Sequence, residues 1–181
     1  CISDVSEHLV SIVIPAASYH ASVLHRALES VYAQSLPCEV VVIDDTEQHG
    51  AGWARNQGVA KVTTPFVSFL DADDWFIPTA IEDMLSVYQQ GYYVYPDDYQ
   101  GDKIHATPDS EVYLIAESWH VVSALVPTAA HHLIGGFDET LPALEDKDYY
   151  LKLQANGICG IRCNKPLVHY TDDGLRSKQF Q

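Results

Sequence analysis

Positive charge is scarce in this sequence. Ten lysines and arginines stand against 25 aspartates and glutamates, a formal net charge of −15 over 181 residues. That shortage argues against a nucleic acid partner, because phosphate backbones are held by clustered Lys and Arg. The acid excess fits two other roles, solubility and recruitment of a divalent cation. Cysteine is also sparse. Cys1, Cys38, Cys159 and Cys163 are too few and too scattered for a disulfide framework. Cys159 and Cys163, four apart in "GICGIRC", read as buried thiols on one face of a strand. No apolar run approaches the ~20 residues of a membrane-spanning helix. No secretory leader pattern is present either, so the expected location is cytoplasmic. Repeats, low-complexity tracts and linkers are missing, and one domain over residues 1–181 is expected. What remains is 47% hydrophobic and 19% charged, the composition of a globular chain able to bury a core.

The first half alternates strand and helix patterns. "VSIVIP" (10–15), "CEVVVIDD" (38–45) and "PFVSFLDA" (65–72) are continuous apolar runs, as parallel strands covered on both faces read. Helical spacing follows the first of them at Val23, Leu24, Ala27, Leu28, Val31 and Tyr32, with Ser22 as the expected N-cap. A short helix is expected over 50–62. Another is expected after Pro78, with Ile81, Met84, Leu85 and Tyr88 on its apolar face, and then a strand at "YYVYP" (92–96). Such alternation predicts an α/β fold, a mostly parallel Rossmann-like sheet flanked by helices, with right-handed crossovers. Ligands bind beyond the carboxyl ends of such strands, and there stand Pro15, Asp44–Asp45 and Asp71-Ala72-Asp73. The second half is less regular. Residues 97–110 read as polar turns, "EVYLI" (111–115) as an edge strand and "HVVSALVP" (120–127) as an apolar run. A short helix is expected within 131–142 and a longer one over 144–157, with acids in its first turn and Gly157 at its end.

Asp71, Asp73 and Asp74 crowd the end of a buried strand, where like charges repel. A hard cation, Mn²⁺ or Mg²⁺, wants such oxygen ligands and keeps positions open for phosphate oxygens. It would neutralise the charge on a departing diphosphate. The competing structural reading makes Asp73 and Asp74 caps of the turn before Pro78. His131 and His132 are neighbours on a helix and point apart, so they read as solvent-facing or capping groups. Trp75 and Trp119 could stack on a sugar or pack at a rim. Tyr92, Tyr93, Tyr95 and Tyr99 carry no assigned role.

"VSIVIP", "VVVIDD", "WARNQG", "FLDADDW", "GGFDE" and "ED-x-D" occur in this order and together resemble family 2 glycosyltransferases of the GT-A fold, here as a short member. The resemblance runs over about residues 10 to 155. It implies transfer of a sugar from a UDP-sugar to a glycan, lipid or protein hydroxyl, inverting and metal-dependent. It implies a nucleotide-sugar-binding half at 1–96 and an acceptor and catalytic-base half at 97–181. Pro15 and Ala16 match the end of the first strand beside the nucleobase. Asp45 matches the carboxylate that accepts from the uracil ring, Arg55 borders the nucleotide, and Asp71 and Ala72 match the ribose side. Asp73 matches the metal ligand for Mn²⁺ (or Mg²⁺), and His169 is a candidate further ligand. Glu145 and Asp146 match the family's acid pair, with Asp146 at the general base and Asp148 as the fallback.

The chain departs from that pattern in two places. Only ten positions separate Asp45 from Arg55, so one helix–strand unit near the nucleobase is expected to be missing, leaving a reduced sheet edge. Thr46 and Glu47 also replace the family's small residues. Little chain follows the acid-pair helix, so a further domain or oligomer partner could complete the acceptor side. An alternative function is a non-catalytic, degenerate nucleotide-sugar-binding module. A nucleotidyltransferase is disfavoured because the loop "AASYHAS" (16–22) has no Gly, Lys or Arg to hold a triphosphate. A phospho-acceptor receiver would need a better-placed lysine than the one in "NKP".

Overall fold

The computed structural model describes residues 8–106 and 120–171. Its strands are β1 (Val10–Ala16), β2 (Glu39–Asp44), β3 (Phe66–Phe69), β4 (Trp75–Phe76), β5 (Tyr92–Gln100), β6 (Lys103–His105), β7 (Leu125–Pro127) and β8 (Cys159–Tyr170). Its helices are α1 (Leu24–Tyr32), α2 (Ala51–Val59), α3 (Ala80–Val87), α4 (Thr128–Leu133) and α5 (Glu145–Ala155). The sheet runs β2-β1-β3-β7-β5-β8-β4, with β6 on β5. β1 pairs in parallel with β2 and β3, and β5 with β8, while β7 is antiparallel to both β3 and β5.

The unbroken apolar run of β1 follows from burial on both faces. Val13 packs with Val41, Phe69, Tyr93 and Tyr149 on the side of α2 and α5. Ile12 and Ile14 pack with Ala27, Ile81 and Met84 on the side of α1 and α3. Gly58 lets α2 press on β1, since a Cβ there would collide with the Val13 side chain. The connection from β2 to α2 is only residues 45–50, with no strand or helix inside it, and β2 ends the sheet. That is the reduced edge the spacing predicts.

Some local expectations change. Val23, with no side-chain cap bond, and not Ser22, is the N-cap of α1. β5 continues through 97–100 and turns at Gly101 (φ 61°) into β6. Its polar residues are sheet residues because their partners lie elsewhere. Arg162 donates twice to Asp97, at 2.9 Å each, and His105 Nδ1 lies 2.9 Å from Asp98 Oδ1. The register shifts around Pro96 and Asp97, where proline has no N–H for the ladder. Cys163 is buried but Cys159, at the start of β8, is exposed. His131 is a core residue, with Nδ1 3.0 Å from Tyr149 Oη, while His132 is exposed. Cys1, the stretch 111–115 and Trp119 lie outside the described residues. No helix among the described residues is long and apolar enough to cross a membrane.

Candidate active site

The carboxyl ends of β1, β2 and β3 open into one cavity of about 800 Å³. Its lining includes Pro15, Ala16, Asp45, Arg55, Asp71, Ala72, Asp73, Glu145 and Asp146. Side chains from three strand ends and two helices, up to 131 positions apart in the chain, thus meet in one place. Parallel pairing explains the first part. β1 and β2 run in step to Ala16 and Asp44, Asp45 N–H donates to the Ala16 carbonyl at 2.8 Å, and β3 ends beside Val13.

Asp45 is buried and organises the tight connection after β2. Its Oδ1 accepts from His49 N–H and lies 2.9 Å from His49 Nδ1, and its Oδ2 accepts from Gly50 N–H at 2.8 Å. Burial alone would raise its pKa, but the His49 and Gly50 hydrogen bonds outweigh burial and hold it below the usual carboxylate value. Arg55, on α2, is 3% exposed and joins two walls: it donates to Asp71 Oδ1 at 2.8 Å and to Glu145 Oε1 at 2.6 Å. Burial opposes its charge, yet Asp71, Glu145 and Asp146 overcome that and raise its pKa further. The next residue, Asn56, clamps the loop after α4. It donates to the Phe137 carbonyl at 3.0 Å and accepts from Phe137 N–H at 2.9 Å. Gly136 (φ 76°) is required beside it, because a Cβ there would sit 2.5 Å from Asn56 Oδ1.

Asp71, Asp73 and Asp74 can each offer an oxygen within 4.8 Å of the others. The chain passes from this turn into β4, not straight into a helix. Asp74 accepts from Thr171 N–H at 2.8 Å, so it ties the turn to the end of β8 and is not the helix cap the structural reading expects. Asp146 is half-buried in the first turn of α5, and its Oδ1 accepts from Lys147 N–H at 2.8 Å. Burial first, and then Glu145 and Asp71, push its pKa up, against Arg55 and that hydrogen bond. Asp148 does not line the cavity and pairs with Lys152 at 3.3 Å. Leu144, just before the acid pair, has φ 62°, a costly conformation for a non-glycine residue.

His169 is not brought to the cavity. Alternation along β8 sends Tyr170 into the lining and His169 to the other face, sandwiched between Trp75 (4.6 Å) and Tyr99 (4.5 Å). This corrects its candidacy as a metal ligand, and it gives Trp75 a packing role. Tyr19, His20, Gln48, His49, Glu139 and Tyr170 also line the cavity and were not singled out from sequence. Glu139, within "GGFDE", and Asn56, within "WARNQG", were signalled only as parts of those motifs.

A model of the family described as "Glycosyl transferase family 2" matches residues 46–121. An uncharacterized glycosyltransferase of Rickettsia bellii is 26% identical over 188 residues, covering 80% of this chain and 27% of the relative. One from Haemophilus influenzae is 29% identical over 163 residues, covering 81% of this chain and 55% of the relative. The chain therefore spans between about a quarter and a little over half of these relatives. Among solved structures, S. aureus TarS 1–349 in complex with UDP-GlcNAc superposes with a TM-score of 0.73 at 19% identity, over 90% of this chain and 58% of that one. Mannosyltransferase PcManGT from Pyrobaculum calidifontis, in complex with GDP-Man and Mn²⁺, gives a TM-score of 0.70 at 19% identity, over 94% and 59%. The matched stretch, the named relatives and the shared GT-A architecture make this chain similar to the family 2 glycosyltransferases.

Proposed function

We propose that this chain transfers a sugar from a nucleoside-diphosphate sugar, of the UDP-sugar kind, to an acceptor hydroxyl, with inversion and with a divalent cation. One observation carries the reading: Asp45, Asp71, Asp73, Glu139, Glu145 and Asp146 line the cavity, and Arg55, already bonded to two of them, is its only Lys or Arg among the described residues. A diphosphate entering such a site meets net repulsion unless a cation accompanies it. The acid turn fits a hard ion, since its carboxylates are close together and supply oxygen donors. Asp73, with Asp71 beside it, would hold Mn²⁺ or Mg²⁺, whose chemistry is to neutralise the charge that develops on the leaving diphosphate. The ligands in the TarS and PcManGT structures support the donor class and the ion.

The chain's own groups have distinct tasks. Pro15, Ala16 and Asp45 border the base. Asp45 has about four lone-pair sites and uses three in the His49 and Gly50 contacts, which leaves capacity for a ring N–H. Arg55 holds Asp71 and Glu145 at the donor's ribose and phosphate side. Asp146 removes the acceptor proton as the acceptor oxygen bonds to the anomeric carbon. The bond from that carbon to the diphosphate breaks, and the nucleoside diphosphate leaves with its electron pair. A base in this position contributes about 10²–10⁴-fold, and the raised Asp146 pKa suits the task. Acceptor recognition is completed by a further domain or an oligomer partner, as the short coverage of the relatives suggests. Calorimetry with UDP tests the reading: binding is expected with Mn²⁺ and is lost on chelation. UDP binding that ignores the metal would remove the cation from the scheme, and no binding would remove the donor.

A further inference from the structure

The acid turn is gripped from behind by groups that the catalytic scheme does not use. Three polar side chains four residues apart, Arg26 and Ser30 on α1 and Gln34 just beyond it, lie along one stripe, which helical periodicity makes a single face. Each bonds to the main chain that follows Asp71. Arg26 Nη2 donates to the Asp73 carbonyl at 3.0 Å, Phe76 N–H donates to Ser30 Oγ at 3.1 Å, and Gln34 donates to the Ile77 carbonyl at 2.8 Å and accepts from Ile81 N–H at 3.1 Å. The Arg26 guanidinium lies 3.7 Å over the Trp75 ring, the first layer of a stack that continues through His169 to Tyr99. From the opposite side, Thr171 Oγ1 donates to the same Asp73 carbonyl at 2.9 Å. One peptide oxygen thus receives donors from α1 and from the end of β8.

We propose that Arg26 is a positioning residue for the cation-binding turn: by fixing the Asp73 carbonyl against the Trp75 stack, it sets the affinity of that turn for a divalent ion. This rests on the cation site proposed above. A plain electrostatic role makes the opposite prediction. Removing a nearby positive charge should tighten binding of a cation, whereas losing a support behind a metal ligand weakens it, by 10–100-fold in known sites.

The test is Mn²⁺ titration of the whole chain, by calorimetry or the Mn²⁺ paramagnetic signal, with thermal melts alongside. Arg26→Met keeps the stem and loses charge and donor. Arg26→Lys keeps charge but loses the planar stack. Thr171→Val removes the opposite donor at nearly constant shape. Weaker Mn²⁺ binding, about tenfold in Arg26→Met and less in Arg26→Lys and Thr171→Val, supports the proposal. Tighter or unchanged binding in Arg26→Met, or wild-type affinity in both other variants, overturns it while leaving the cation site intact. If Arg26→Met does not fold, the other two decide by the same criterion. A wild-type chain that takes up no Mn²⁺, alone or with UDP, overturns the cation site itself and this proposal with it.

Discussion

Two acidic stretches of this chain look alike on paper and differ in what surrounds them. "DADD" (71–74) and "PDD" (96–98) both put adjacent carboxylates at or within buried strands. Asp97 faces the two-pronged guanidinium of Arg162, and Asp98, fully buried, meets His105 and Gln100. Those acids are matched by basic or polar side chains. In the first stretch, three carboxylates lie within 4.8 Å of one another. The arginine that reaches Asp71 is shared with Glu145, and Arg26 bonds a carbonyl, not a carboxylate. Clustered oxygen donors on a cavity wall suit the cation of the proposed function, whereas the Asp97–Arg162 pair ties β5 to β8.

The widest separation should come from Asp73→Asn against Asp97→Asn. The first is expected to abolish Mn²⁺-dependent UDP binding and turnover. The second should leave binding per folded molecule at the wild-type value, as calorimetry on both proteins would read. Equal losses would break the distinction. Next is Asp146→Asn, expected to lower donor turnover by about 10²–10⁴-fold with UDP affinity kept. The base must be ionised, and the Asp146 pKa is raised above the ordinary 3.8. Activity should therefore fall, as pH drops, at a higher pH than an ordinary aspartate would give. In Asp146→Asn that acid limb should vanish from the residual rate. An unchanged pH profile would assign the base elsewhere.

Stability gives the third contrast, and here the signs differ. Arg162→Met takes the paired guanidinium away from buried Asp97, at a cost of about 3 kcal/mol, roughly 6–12 °C in melting temperature for a chain of this size. Asp73→Asn removes one of several repelling charges and should leave stability unchanged or slightly higher. Urea or thermal melts of the two variants check this. A large loss in Asp73→Asn would make it a scaffold residue after all.

Much of the site was legible because its elements end in step. Parallel strands with continuous apolar runs must be covered on both faces, so Pro15, Asp45 and Asp71 were expected on one rim, and the ten-residue interval from Asp45 to Arg55 predicted the reduced edge. What escaped notice depended on partners distant in sequence. Asp97 and Asp98 read as loop because Arg162 lies 65 positions from Asp97. His169 read as a ligand because the alternation that faces it toward Trp75 and Tyr99, and its neighbour Tyr170 toward the cavity, is fixed only by pairing with β4 and β5. His131 read as exposed because no local signal marks an imidazole packed among Phe69, Phe137 and Tyr149.

The smallest effect extends the same contrast to histidine. His105 lies against a carboxylate, whereas His131 lies among aromatic rings with the Tyr149 hydroxyl at Nδ1. Burial, helped by His132 and Lys152, lowers the His131 pKa from 6.5 to about 4. The unfolded chain therefore takes up this proton first as pH falls. Stability from His131 is complete above pH 6.5 and is lost progressively down to about pH 4. Between pH 7.5 and 5.5 the loss should be on the order of 1 kcal/mol. His131→Gln, which cannot take up the proton, should flatten the curve of unfolding free energy against pH over that window. It should lower the plateau above pH 7 as well, because the ring contacts are gone. If the slope persisted in His131→Gln, the acid sensitivity would belong to another buried group, and His120, whose pKa burial also lowers to about 4, is the next to substitute.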